Sequence, residues 1–209
     1  MTRLRAHPIR VVLRFVASVM MVSGILLISD AVVTLAWQEP VSAYFSERQQ
    51  VKLEKALIDP PKRVVEKEPL RGDALGKLLM PSIGVSEYVV EGTDADTLRK
   101  GPGHYPDTPL PGQRGTSAIA GHRTTYGAPF RNLNKLEKGD RIVVELPYGT
   151  FVYRVDKTQI VDDSALWVTR KVGHDQLVLT ACHPLYSAAQ RIVAFARLAQ
   201  RRPAKVRKA

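Results

Sequence analysis

Leu177-Val178-Leu179-Thr180-Ala181-Cys182-His183-Pro184 is an alternating strand that ends on a thiol. Successive side chains of a strand point to opposite faces, so Leu177, Leu179 and Ala181 share one face while Val178, Thr180 and Cys182 share the other. Pro184 cannot donate to a ladder, so regular pairing is expected to stop there. Cys182 therefore sits where a rigid strand gives way to a loop, the usual place for a reactive group. A buried free cysteine acting as a small hydrophobe is the alternative. Downstream, Arg191 opens the next alternating run with Val193, Phe195 and Arg197 on its own face. If the two strands form an antiparallel pair across residues 183–190, Cys182 and Arg191 become neighbours. A guanidinium there can favour a thiolate and donate to a developing oxyanion. The alternative for Arg191 is a surface residue on an edge strand.

Upstream, Thr116-Ser117-Ala118-Ile119-Ala120-Gly121 is a small apolar run followed by His122 and a polar loop, Arg123 to Gly127. A nucleophilic cysteine needs a partner that protonates the leaving amine, and imidazole suits that task near neutral pH. His183, His104 and His174 compete with His122. His183 is the poorer partner than its adjacency suggests, because neighbours on a strand face opposite ways. Short strands are also expected at 77–81, 87–92, 140–146, 150–161 and 166–171, with brief helices around 94–100 and 129–136. Eight short strands separated by turn residues favour a mainly β architecture, a small closed barrel or a sandwich, over a helical or βαβ fold.

The 209 residues include one cysteine, which excludes an intramolecular disulfide and a cysteine-based zinc cluster. The net charge of +11 sits mostly in two tails, on Arg3, Arg5, Arg10 and Arg14 and on Arg201, Arg202, Lys205, Arg207 and Lys208. The remainder carries about +2, so no nucleic-acid footprint is expected. Residues 15–37 hold Asp30 as their sole charge. As a helix they would reach roughly 34 Å, enough to span a bilayer. Four arginines ahead of the span place the N-terminus in the cytoplasm and export the rest. Asp30 is expected in the outer half, hydrated or facing a neighbour. Val41-Ser42-Ala43 resembles a processing site, but the apolar run exceeds a usual signal-peptide core, which favours an uncleaved anchor. The expected organisation is a basic cytoplasmic N-terminus (1–14), a transmembrane helix (15–37), an extracellular stalk (38–74) ending its helical part at Asp59-Pro60-Pro61, a catalytic domain (75–199) and a basic disordered tail (200–209). The tail has a weaker potential to touch anionic polymer or headgroups.

The stretches Ala120 to Phe130 (AGHRTTYGAPF), Leu177 to Pro184, and Tyr186-Ser187-Ala188-Ala189-Gln190-Arg191 resemble a sortase, most closely the class E sortases of Gram-positive actinobacteria. The resemblance covers residues 75–199 and implies an eight-stranded closed barrel. No cofactor is expected, and no acidic cluster in the sequence argues for a calcium site. The resemblance also implies a cysteine transpeptidase at the outer membrane surface. Cys182 would attack the Thr–Gly bond of an LAXTG-like or LPXTG-like C-terminal sorting signal and form a thioester. His122 would protonate the departing amine and Arg191 would hold the oxyanion or the substrate backbone. Tyr126, Thr180 and Ala181 would shape the substrate site. The partners implied are secreted proteins bearing such a signal and an acceptor amine from a peptidoglycan precursor or a pilin lysine. The family usually has Thr directly before the cysteine, where this chain has Ala181. The competing functions are an L,D-transpeptidase, whose Ser-His-Gly-x-Cys context is absent, and an inactive wall-binding domain.

Overall fold

The computed structural model describes residues 8–37 and 40–204, and the chain divides into two compact units, Met1–Pro40 and Val41–Ala209. In the first unit, helix α1 is described over Pro8–Trp37. It contains a 25-residue stretch, Ile9–Val33, long and apolar enough to cross a membrane. Large side chains along it are exposed, among them Phe15, Met20 and Leu27.

The second unit contains helices α2 (Pro40–Ala56), α3 (Lys62–Val65) and α4 (Ala95–Leu98). Its strands are β1 (Ala74–Met80), β2 (Val85–Glu91), β3 (Gly103–His104), β4 (Thr116–Ala120), β5 (Arg141–Leu146), β6 (Gly149–Asp162), β7 (Gln176–His183) and β8 (Gln190–Pro203). They close into a barrel in the order β1-β2-β3-β4-β7-β8-β6-β5, with β5 returning to β1. All pairs are antiparallel except β2–β3 and β4–β7. Closure removes the free edges that an open sheet of this size would expose.

Alternation sorts the side chains onto two faces. Leu177, Leu179 and Ala181 of β7 and Ile192, Ala194 and Ala196 of β8 join the barrel interior with Ile119, Ile142 and Val144. Val178 and Val193 face outward, with Ala118, Val161 and Phe195. This outer apolar patch needs a cover, and residues 166–171 supply it. They were expected as a strand; instead Leu166–Thr169 form a 3-10 turn. Trp167 stacks on Phe195, ring centroids 6.0 Å apart and planes at 11°, and Ala165 and Val168 pack on the same cluster. The apolar residues read as strand texture are in fact a lid over the barrel wall.

From Val41 onward, the segment expected as a stalk falls within the barrel unit. Leu53 of α2 is buried with Ala74 and Val90. The Gln50 amide donates to the carbonyls of Tyr88 and Lys100, at 3.0 and 2.9 Å, and its oxygen accepts from Tyr88 N. Val64 of α3, 1% exposed, joins the barrel core. A helix that buries apolar residues and satisfies a neighbouring strand's backbone gains more than a hydrated spacer would. At the other end, β8 continues to Pro203 because residues 200–203 pair with 149–152 of β6, so the tail expected from residue 200 is ordered at its start. Residues 205–209 lie outside the described residues.

β3 is too short to leave a periodic signal, yet it carries a buried polar pair. Glu91 and His104 are register partners, 5% and 1% exposed, and His104 Nδ1 lies 2.9 Å from Glu91 Oε2. Replacing Glu91 with alanine strands a ring nitrogen in the interior. A loss of about 1–3 kcal/mol is expected, read as a lower midpoint in urea denaturation, and an unchanged midpoint would show the pair to be stabilising nothing.

Candidate active site

The site is set by register. Parallel pairing of β4 with β7 places Ala120 against Thr180, and Gly121 N donates to Thr180 O at 3.0 Å. His122 is two residues past Ala120 and Cys182 two past Thr180, so both emerge at the same end of adjacent strands. On the far side of β7, antiparallel pairing with β8 places Cys182 against Arg191. Arg191 is thus the cross-strand neighbour of Cys182, and His122 leaves β4 two residues beyond its last pair with β7, at the same end of the barrel. Cys182 is a free, half-buried thiol. It belongs to the outer face, the face of Thr180 and Val193, and beside it runs a groove lined by Tyr105, Val168, Thr180, Arg191 and Val193.

His122 is cramped and largely desolvated. Its Nδ1 lies 3.3 Å from Thr125 Oγ1, and its Nε2 is buried with no hydrogen-bond partner among the described residues. Burial, and then the charge of Arg99, pull the imidazole below its ordinary value. Both disfavour the charged ring. Its loop folds back tightly: Gly121 has no side chain because a Cβ there would lie 2.7 Å from the Phe130 ring, and Phe130 N closes onto His122 O at 3.0 Å.

Tyr126 adopts φ +50° and sets its ring 5.0 Å from that of His122. The loop is braced from α2, where Ser42 Oγ accepts from Tyr126 N at 3.0 Å and Phe45 meets the Tyr126 ring edge-on. The Arg99 guanidinium lies over the Tyr126 ring, 5.9 Å from its centroid. Thr180 Oγ1 shares a hydrogen bond with Tyr105 OH at 3.1 Å on the groove wall. Ala181 differs from expectation. It is 3% exposed within the barrel interior, because alternation turns it away from the face that carries Thr180 and Cys182, so its methyl does not line the groove. Arg191 is tethered by its own loop, its Nη1 donating to the carbonyls of Ala188 and Gln190 at 2.7 and 2.9 Å.

One residue of the site escaped sequence reading. Arg123, 5% exposed, donates from Nη1 to Cys182 O at 3.3 Å and to His183 Nδ1 at 2.8 Å, and from Nη2 to Asn134 Oδ1 at 2.9 Å. Burial and Arg131 pull its guanidinium below the ordinary value, while Cys182 acts the other way. The available signal was its place directly after His122, which turns it to the opposite side of the strand extension. His104 and His174 lie away from this cluster, His104 within its buried pair with Glu91. Among the described residues, no group of three or more His, Cys, Asp or Glu side chains is placed to hold a metal.

A sortase domain model matches residues 78–199. The chain is 42% identical over 127 residues to Sortase D of Bacillus subtilis, covering 60% of this chain and 63% of that one. It is 32% identical over 152 residues to Sortase SrtE1 of Streptomyces coelicolor, covering 65% and 43%. The chain thus spans less than two thirds of the length of these curated relatives. Among solved structures, sortase E of Streptomyces avermitilis aligns with TM-score 0.61 at 32% identity, covering 68% of this chain and 97% of that one. A Clostridium perfringens sortase D5 transpeptidase shares the fold, with TM-score 0.65 at 23% identity over 75% of this chain and 99% of that one. With a matched domain covering more than half its length and a closed eight-stranded barrel, this chain belongs to the sortase family.

Proposed function

We propose that the protein is a membrane-anchored cysteine transpeptidase of class E character. It acts on secreted proteins that end in an LAXTG-like or LPXTG-like sorting signal. The observation that supports this reading is the register of β7, which pairs Cys182 with Arg191 of β8 and runs parallel to the strand that leads into His122. In the proposed cycle the Cys182 thiolate attacks the carbonyl carbon of the Thr–Gly bond. Arg191 stabilises the negative oxygen of the tetrahedral species, and His122 delivers a proton to the glycine nitrogen as the C–N bond breaks. The acyl group is then held as a thioester. An incoming amine, from a peptidoglycan precursor or a pilin lysine, attacks that carbon, gives a proton to His122 and expels the thiolate.

The α1 helix supports an anchor, and the arginines before and in its first turns, Arg3, Arg5, Arg10 and Arg14, favour an N-in, C-out topology, with the barrel outside the cell. Position 181 faces the interior, so a threonine there would place its hydroxyl among core residues. The departure from the usual family residue therefore does not remove a hydroxyl from the groove, where Thr180 already supplies one.

The test is to incubate the full chain in detergent micelles with peptides carrying either Ala or Pro at the second position of the signal, and to record masses. A Cys182 adduct equal to the peptide truncated after Thr is expected with at least one of the two series, and their relative rates assign the second position. No adduct with any peptide in the panel would overturn the reading.

A further inference from the structure

The end of β7 is held by something other than the sheet. In the parallel ladder between β4 and β7, Gly121 N donates to Thr180 O. Parallel rungs recur every second residue, so the next would run from the backbone N–H of residue 123 to Cys182 O. The chain has by then turned away, and the carbonyl of His122 is taken by Phe130 N. The Arg123 side chain fills the missing rung, with Nη1 reaching Cys182 O at 3.3 Å.

The guanidinium is fixed from behind by Asn134 Oδ1 at 2.9 Å and by Arg131 O at 3.4 Å. Its remaining contact is His183 Nδ1 at 2.8 Å. A guanidinium has only donors, so Nδ1 must accept, and the neutral His183 ring carries its proton on Nε2. A fork of rigid donors spans these acceptors in a way that a lysine ammonium on a flexible stem does not.

We propose that Arg123 is a positioning residue: it replaces the lost ladder rung at Cys182 and locks the adjacent His183 ring, so that the thiol keeps one aim toward the groove while the His122 loop departs. This inference rests on the transpeptidase reading for its catalytic consequence and on the fork geometry for its structural one. A small misplacement of a reacting group can cost as much as about 100-fold in rate.

The experiment compares the full wild-type chain with Arg123→Lys and Arg123→Gln, in micelles, by single-turnover thioester formation across peptide concentrations. The melting temperature and the His183 tautomer, from ring-nitrogen NMR, are measured alongside. Arg123→Gln is expected to lower the maximal acylation rate about ten-fold or more with half-saturation moved less than about two-fold. Arg123→Lys is expected to recover only part of that loss. In the wild type the His183 proton is expected on Nε2, and in both variants its resonances should show exchange between tautomers.

A folded Arg123→Gln or Arg123→Lys chain with the wild-type maximal rate would overturn the inference, as would a wild-type His183 protonated on Nδ1. If Arg123→Gln does not fold, the lysine variant and the wild-type tautomer decide. A wild-type chain that forms no thioester sinks the transpeptidase reading instead, and the tautomer measurement then decides the positioning role alone.

Discussion

Cys182→Ala is expected to form no thioester with any sorting peptide and to lose at least about a thousand-fold in peptide cleavage. The proposed reaction passes through a covalent bond to sulfur, and no other thiol exists in the chain to take its place. The same substitution should hardly disturb the fold. Cys182 is half-buried on the outer face of a strand end, whereas Leu179 and Ala181 beside it fill the interior, so deleting the sulfur opens no cavity in the barrel core. The expected result is thus an inactive protein with a near wild-type urea midpoint, which separates loss of chemistry from loss of structure. Cleavage retained by the alanine variant would remove Cys182 from the mechanism and favour a non-covalent hydrolysis or an inactive domain.

The strand texture was legible because each of β5 to β8 has one face in the core, which forces a period of two on the sequence. Leu177, Leu179 and Ala181 announce that face without reference to anything distant. Barrel closure was less legible than strand content. It depends on β1 pairing with β5 and on β4 lying parallel to β7, pairings between segments far apart in sequence that local alternation does not specify. Residues 166–171 misled for a related reason: Trp167 and Val168 are apolar because they cover the outer cluster, and covering a sheet demands hydrophobicity but no particular backbone. Glu39 to Asp73 looked like a spacer because its mean polarity is high, while the docking of α2 rests on a few side chains, Leu53 and Gln50 chief among them. At the site, His122, Cys182 and Arg191 could be singled out as titratable or cationic groups at strand ends. Arg123 had only its place directly after His122 to mark it, since its role arises from a ladder rung that fails.

The pH dependence of acylation should report His122 directly. His122→Ala is expected to slow thioester formation from a peptide by about 100- to 10,000-fold, the range for removal of a positioned proton donor. A finer test is Arg99→Gln. As a general acid His122 acts in its protonated form, and the fraction in that form falls as pH rises through its pKa. Burial lowers that pKa first and the Arg99 charge lowers it further. Removing the charge therefore raises it partway toward the ordinary value, while burial continues to hold it down. The alkaline limb of the acylation profile should move to higher pH in Arg99→Gln, with more activity at neutral pH than in the wild type. Arg99 also lies over the Tyr126 ring and pairs with Asp96, so Arg99→Lys is the control that keeps a cation while changing those contacts. A shift in the glutamine variant alone isolates the charge. A limb that stays put or moves to lower pH in Arg99→Gln would mean that the titrating group in the profile is not His122, and the proton would have to come from another residue or from water.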